Sequence, residues 1–190
     1  MNVRHSPMLS GGLLITGCPR SGTLSAQKFY EKRNVLLGHE TAGEMGTVDY
    51  RNAYMDFDLN GENPPFTLVN VLVRDPLSTV ASLESLLVSA TTKPNIGSDT
   101  DADIRSLAKQ GDWLDSLDKK VYLDSAVKWW TSVYDRLQFL PVLRVEDWPN
   151  LPHEHEHTHS RKTLTANDVR RRIPAGHQFW SVARIYGYYR

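Results

Sequence analysis

The sequence predicts an α/β domain, a three-layer sandwich built on a central parallel sheet. Three observations carry that expectation. Short apolar, β-branched runs alternate along the chain with longer segments of helical character. Residues 66–74, FTLVNVLVR, are almost wholly apolar, as a strand covered on both faces must be. Leu13-Leu14-Ile15 runs straight into a turn bounded by Gly17 and Gly22 and then into a helix-forming segment, which is the strand, tight loop and helix order of a parallel fold.

The 190 residues suit one domain, residues 1–190, with a substantial core. The 22 basic and 22 acidic residues cancel, which argues against general nucleic-acid binding. A single Cys excludes an internal disulfide framework and a multi-Cys zinc site. No run approaches the ~18 apolar residues of a membrane span. Cleavage of the short apolar N-terminal stretch as a signal would destroy the glycine turn, so the chain reads as soluble and cytoplasmic, with no membrane partner.

In order, residues 1–10 are a lead-in and residues 12–16 the first strand. Residues 23–33 form the first helix, with Leu24, Ala26 and Phe29 toward the sheet and Asn34 as its end. Val35-Leu36-Leu37 is a short second strand running into Gly38-His39-Glu40. Residues 41–65 lack periodicity and read as a long functional loop with a helical turn near residues 50–55. After the strand at 66–74, Asp75 fits an N-cap and Pro76 the first position of a helix reaching about Ser89. Residues 91–100 are a loop, 101–110 a short helix, and 120–140 the longest helix, whose Trp129-Trp130 pair reads as core. Residues 141–145 form the last strand. His153, His155, His157 and His159 alternate in a polar segment that reads as surface loop rather than a metal cage. Thr165 and Asp168 form a capping box for a helix over residues 165–173, and residues 177–189 form an aromatic-rich final helix.

The chemistry gathers at strand ends. Gly17-Cys18-Pro19-Arg20-Ser21-Gly22 has the G-x-x-x-x-G frame that lets backbone N–H groups approach an anion at a helix N-terminus. A Walker A loop would continue with Lys and then Ser or Thr; here Thr23-Leu24 follow, and the cation has moved to Arg20. The loop therefore suits an anionic nucleotide held without the usual Mg²⁺. His39 and Glu40 follow the second strand. Arg74 ends the long one, and Ser82, eight residues on, lies two turns into the next helix, so that the two suit a second phosphate.

These segments resemble the sulfotransferases that use 3′-phosphoadenosine 5′-phosphosulfate (PAPS). Cys18-Pro19-Arg20-Ser21-Gly22-Thr23 is similar to that family's 5′-phosphosulfate loop, Arg74 with Ser82 to its 3′-phosphate motif, and Leu143-Arg144-Val145-Glu146-Asp147 to its late strand ending in Glu-Asp. The resemblance spans about residues 12–148 and implies a P-loop-containing nucleotide hydrolase-like fold. It implies PAPS as donor, 3′,5′-adenosine bisphosphate (PAP) as product, no metal, and a small-molecule or glycan acceptor. By the same resemblance Pro19, Arg20, Ser21, Gly22, Thr23 and Leu24 hold the 5′ end, with Arg20 on the sulfuryl oxygens. Glu40, ahead of His39, is the base, and Arg161-Lys162 is a third basic element. Leu24 departs from the family's second Thr, whose hydroxyl is lost; Ser25 offers one a residue further round the helix. Two alternatives stand beside this reading: a P-loop nucleotide kinase or NTPase, and a catalytically silent nucleotide-binding or interaction protein. The acceptor and the oligomeric state are not written in the sequence.

Overall fold

The computed structural model describes residues 12–54, 66–92, 122–148 and 164–189. They group into two compact units.

The first unit, with described residues 12–54, 66–74 and 136–148, carries the sheet. Its elements are β1 (Gly12–Gly17), α1 (Thr23–Glu31), β2 (Gly38–His39), β3 (Gly46–Val48), a 3₁₀ turn (Tyr50–Tyr54), β4 (Phe66–Val73), β5 (Val142–Arg144) and a second 3₁₀ turn (Val145–Asp147). All five strands are parallel, in the order β2-β3-β1-β4-β5. The α/β class and the parallel sheet are therefore as the sequence predicts. β1 is central, and the chain leaves it first toward β3 and β2 and later returns to its other side as β4 and β5. Such a reversal opens a crevice at the carboxyl ends of the strands, where open parallel sheets bind ligands.

One face of the sheet is organised by side-chain alternation. Ile15, Val48 and Leu72 lie on it, buried with Ala26 of α1 and with Leu37, and Leu13, Leu143 and Val145 pack at the margin. Each fully buried Ile or Leu side chain is worth roughly 1.5–3 kcal/mol by apolar area, so this row and Ala26 hold α1 against the sheet. Leu14, Val69, Val71 and Val73 are buried on the other face. β4 is thus covered on both sides from Val69 onward, which is why its sequence reads as a continuous apolar run.

Three expectations about this unit are corrected. Residues 41–65 are not one long loop, because β3 lies within them and pairs with both β1 and β2. Its first residue, Gly46, has φ 141°, and a Cβ there would stand 2.0 Å from the carbonyl oxygen of Leu13. The close approach of β3 to β1 requires glycine, and the same glycine disguises the strand as a turn. Val35-Leu36-Leu37 is not the second strand. The Leu37 N–H donates to the Val35 carbonyl at 3.1 Å, a γ-turn, and extended pairing begins only at Gly38 opposite Thr47. The last strand stops at Arg144, and Val145 already belongs to the 3₁₀ turn.

The described residues of the second unit, 75–92, 122–135 and 164–189, are helical with short connections. It holds α2 (Pro76–Thr92), α3 (Tyr122–Arg136, its last residue grouping with the sheet), α4 (Ala166–Arg172) and α5 (Gln178–Ile185). α2 runs beyond Ser89 to Thr92. Asp75 caps it as predicted, its Oδ2 accepting from the Ser78 N–H at 2.8 Å. α4 has the predicted capping box of Thr165 and Asp168. Trp129 and Trp130 are core: Trp130 lies 4.7 Å from the Tyr134 ring and 4.9 Å from that of Phe179, with no exposure. Tyr186 donates its hydroxyl to the Tyr134 carbonyl at 2.7 Å, tying α5 to α3. Near the end of the chain, Tyr189 accepts from the Leu77 N–H at 3.3 Å and donates to Asp75 Oδ1, holding the first turn of α2. The expected helix at 101–110 and the alternating histidines, His153 to His159, lie outside the described residues. Among the described residues no helix is long and apolar enough to cross a membrane.

Candidate functional site

The loop after β1 is a tight, mostly buried turn. Cys18, Pro19 and Ser21 are buried. The Cys18 carbonyl accepts both the Ser21 N–H at 3.2 Å and the Ser21 hydroxyl at 2.6 Å. That hydroxyl therefore fixes the shape of the loop. Arg20 has φ 70° and Gly22 φ 95°, so the chain enters the left-handed region twice in three residues. Gly22 is also the N-cap of α1, and a Cβ there would meet Val145 Cγ2 at 3.3 Å. Glycine serves both the backbone angle and the close packing of the 3₁₀ turn after β5.

α1 begins differently from the other helices whose starts are described. α2, α4 and α5 have side-chain caps from Asp75, Thr165 and His177. α1 has no side-chain cap and no acidic residue in its first turn. Its leading N–H groups and positive dipole end face the carboxyl edge of the sheet, an arrangement that favours an anion.

Two guanidinium groups reach the same half of that edge. Arg74 follows Val73, next in the alternation after Asn70 and Leu72, the residues of β4 that share a face with Ile15 and α1. Arg20 is largely shielded from solvent, and its guanidinium is held below its ordinary basicity, first by burial and then by the positive charge of Arg74. The structure thus brings Arg20 and Arg74 within each other's field, from the loop after β1 and the end of β4. An anion near both would be favoured by both charges.

The other half of the edge carries an imidazole and two carboxylates. His39 Nε2 lies 3.1 Å from Thr23 Oγ1 and 3.8 Å from Glu40 Oε1. His39 is pushed below its usual value, chiefly by burial; Asp49 opposes that shift and Arg51 adds to it. Glu40 has φ 55°, a left-handed conformation uncommon outside glycine. Its N–H donates to the Val48 carbonyl at 3.0 Å, and its own carbonyl accepts from the Arg51 guanidinium. Arg51 is in turn clamped by Asp49, through Nε at 2.9 Å to Oδ1 and through its second amino group at 2.6 Å to Oδ2. Backbone and clamp together fix where Glu40 stands. The Thr23–His39 contact joins the two halves of the edge.

The remaining predicted residues are placed less informatively. Leu24 is half-buried in the first turn of α1. Ser82 is half-buried on α2, in the helical unit, whereas Arg74 belongs to the sheet unit. Arg161 and Lys162 lie outside the described residues. Among the described residues no three His, Cys, Asp or Glu side chains are grouped to hold a metal ion. Sequence reasoning missed Asp49 and Arg51. Their signal is an Asp-x-Arg directly after a strand, and it was hidden because β3 itself was not recognised. No protein-family model, curated protein or solved structure matches the chain.

Proposed function

We propose that the chain is a small cytoplasmic sulfotransferase that moves a sulfuryl group from PAPS to a hydroxyl or amine acceptor and releases PAP, on a P-loop-like three-layer fold. One observation carries the reading. Arg20 and Arg74, reaching the sheet edge from two different strands, feel each other's charge beside an α1 start that has no side-chain cap. A ligand with anionic groups at two ends matches the sign of both cations and of the helix start, and a doubly phosphorylated adenosine is such a ligand.

In this reading the N–H groups of Gly22, Thr23 and Leu24 and the Thr23 hydroxyl hold the 5′-phosphate, on a turn whose shape Ser21 fixes through the Cys18 carbonyl. Arg20 stabilises charge on the sulfuryl and bridging oxygens, where it grows during transfer. Arg74, at the end of β4, serves the 3′-phosphate. Glu40 takes the acceptor's proton as the acceptor oxygen or nitrogen bonds to sulfur. The bond from sulfur to the 5′-phosphate oxygen breaks, and its electron pair leaves on PAP. Nothing in this sequence of events calls for a Mg²⁺ ligand at position 24, which suits Leu24 better than a kinase or NTPase would. The missing hydroxyl at Leu24 equally favours a second reading, a nucleotide-binding protein that performs no transfer.

Calorimetry with PAP against ATP–Mg²⁺ tests the proposal. PAP binding that is indifferent to Mg²⁺, and much tighter than ATP binding, is the expected result. Mg²⁺-dependent ATP binding with none for PAP overturns it. Tight PAP binding without transfer to any acceptor selects the silent protein.

A further inference from the structure

We propose that His39 belongs to the anion loop rather than to the acceptor: it positions the Thr23 hydroxyl and takes up a proton when a dianion occupies the loop. The inference rests on the reading that this loop binds an anion. The geometry that carries it is the 3.1 Å contact between His39 Nε2 and Thr23 Oγ1. Thr23 is the first residue of α1 and is buried, with 8 % exposure. A hydroxyl has one proton to give. With Nε2 as acceptor, Thr23 gives that proton to His39 and has none for a ligand. With Nε2 protonated, His39 donates instead, and the Thr23 proton is free to point at a bound oxygen.

A dianion in the loop therefore favours Nε2–H for its geometry, and the doubly protonated imidazolium for its charge. Among the described residues, the charged groups around His39 are Glu40, Asp49 and Arg51. Glu40 stands at the end of its own strand, Oε1 at 3.8 Å. From the segment after β3 come Asp49 and Arg51, of opposite sign and bound to each other. α1 presents the Thr23 hydroxyl, which does not titrate in this range. Burial disfavours the charged imidazole in the empty loop, so an added negative charge has a proton to recruit. The sign follows: anion affinity rises as pH falls through the histidine range, by about tenfold for each pKa unit between the empty and loaded forms.

Inorganic sulfate is the probe, since it remains a dianion between about pH 5 and 8, where His titrates. Sulfate binding to the full chain is followed by NMR across that range, together with the ring protons of His39. Binding about tenfold tighter at the acid end, an upward shift of the His39 titration on adding sulfate, and a flat profile in His39→Gln are expected. A His39 titration indifferent to sulfate, an unchanged pH dependence in His39→Gln, or no sulfate binding at any pH each overturns the inference. The ring-proton titration uses the unmodified protein, so it decides the matter even if the variant does not fold. Failure of PAP to bind, with sulfate still linked to His39, sinks the sulfuryl-transfer reading and leaves this one standing.

Discussion

Val145 closes over Gly22: its Cγ2 stands 3.3 Å from the point where any side chain at position 22 would begin. The turn after β5 is thus packed on the loop after β1, and the loop's shape depends on a residue more than a hundred positions away. Gly22→Ala meets two separate obstacles, that contact and a φ of 95°. The backbone part costs roughly 1–2 kcal/mol. Urea denaturation should show at least that loss. Adding Val145→Ala should recover the steric part and leave the backbone part, so a full recovery would contradict the left-handed geometry.

Arg20 and Arg74 should separate stability from binding. Each replaced by Ala should weaken PAP by about 1.5–3 kcal/mol, the worth of a charge-assisted hydrogen bond. Because Arg74 lowers the basicity of Arg20, removing Arg74 relieves repulsion in the empty protein. Arg74→Ala should therefore unfold no earlier than the parent in the absence of ligand. Calorimetry with PAP and thermal unfolding without it, run on the same samples, check both halves.

Glu40 sets stability against chemistry. Its φ of 55° suits glycine, so Glu40→Gly should stabilise the protein by up to about 1 kcal/mol. The same change should abolish sulfuryl transfer. Glu40→Gln should bind PAP normally and be equally inactive. Retained activity in Glu40→Gln would remove the base assignment.

The hydroxyl of Tyr189 bonds Asp75 and the Leu77 N–H at the start of α2. Tyr189→Phe keeps the ring against Trp180, 5.6 Å away, and loses two hydrogen bonds, a cost of about 1–2 kcal/mol. Burial and Asp75 raise the Tyr189 hydroxyl well above its ordinary value. The sign is that of a raised pKa: the stabilisation is complete below pH ~10, where unfolded tyrosine begins to ionise, and declines as pH climbs beyond it. Tyr186 is raised as well, so the variant should retain part of the alkaline slope. Urea titrations on both sides of pH ~10 measure the difference.

The sequence was most readable where one physical cause acted alone. β4 is buried on both faces from Val69 and reads as an apolar run; α2 and α4 announce themselves through Asp75-Pro76 and the Thr165–Asp168 box. β3 was unreadable for a definite reason. Three residues are too few for a period of two to show, and Gly46 is there because the Leu13 carbonyl leaves no room for a side chain. Everything that depends on β3 was hidden with it, above all the Asp49–Arg51 clamp behind Glu40. The residues of the glycine turn after β1 were legible as a spacing. That His39 touches Thr23, 16 positions away, was not, since such a contact follows from sheet order and leaves no local trace.

Cys18, the chain's one cysteine, is sealed beneath the loop with no exposure and with its thiol made less acidic by burial. Alkylating reagents can reach that sulfur only when the turn opens. The protein therefore carries its own clock: the rate at which iodoacetamide marks this sulfur reads how often the turn breathes, with no label introduced and no acceptor needed. Whatever molecule seats itself there should slow that clock, which makes a collection of unknown compounds searchable by chemistry the chain already possesses.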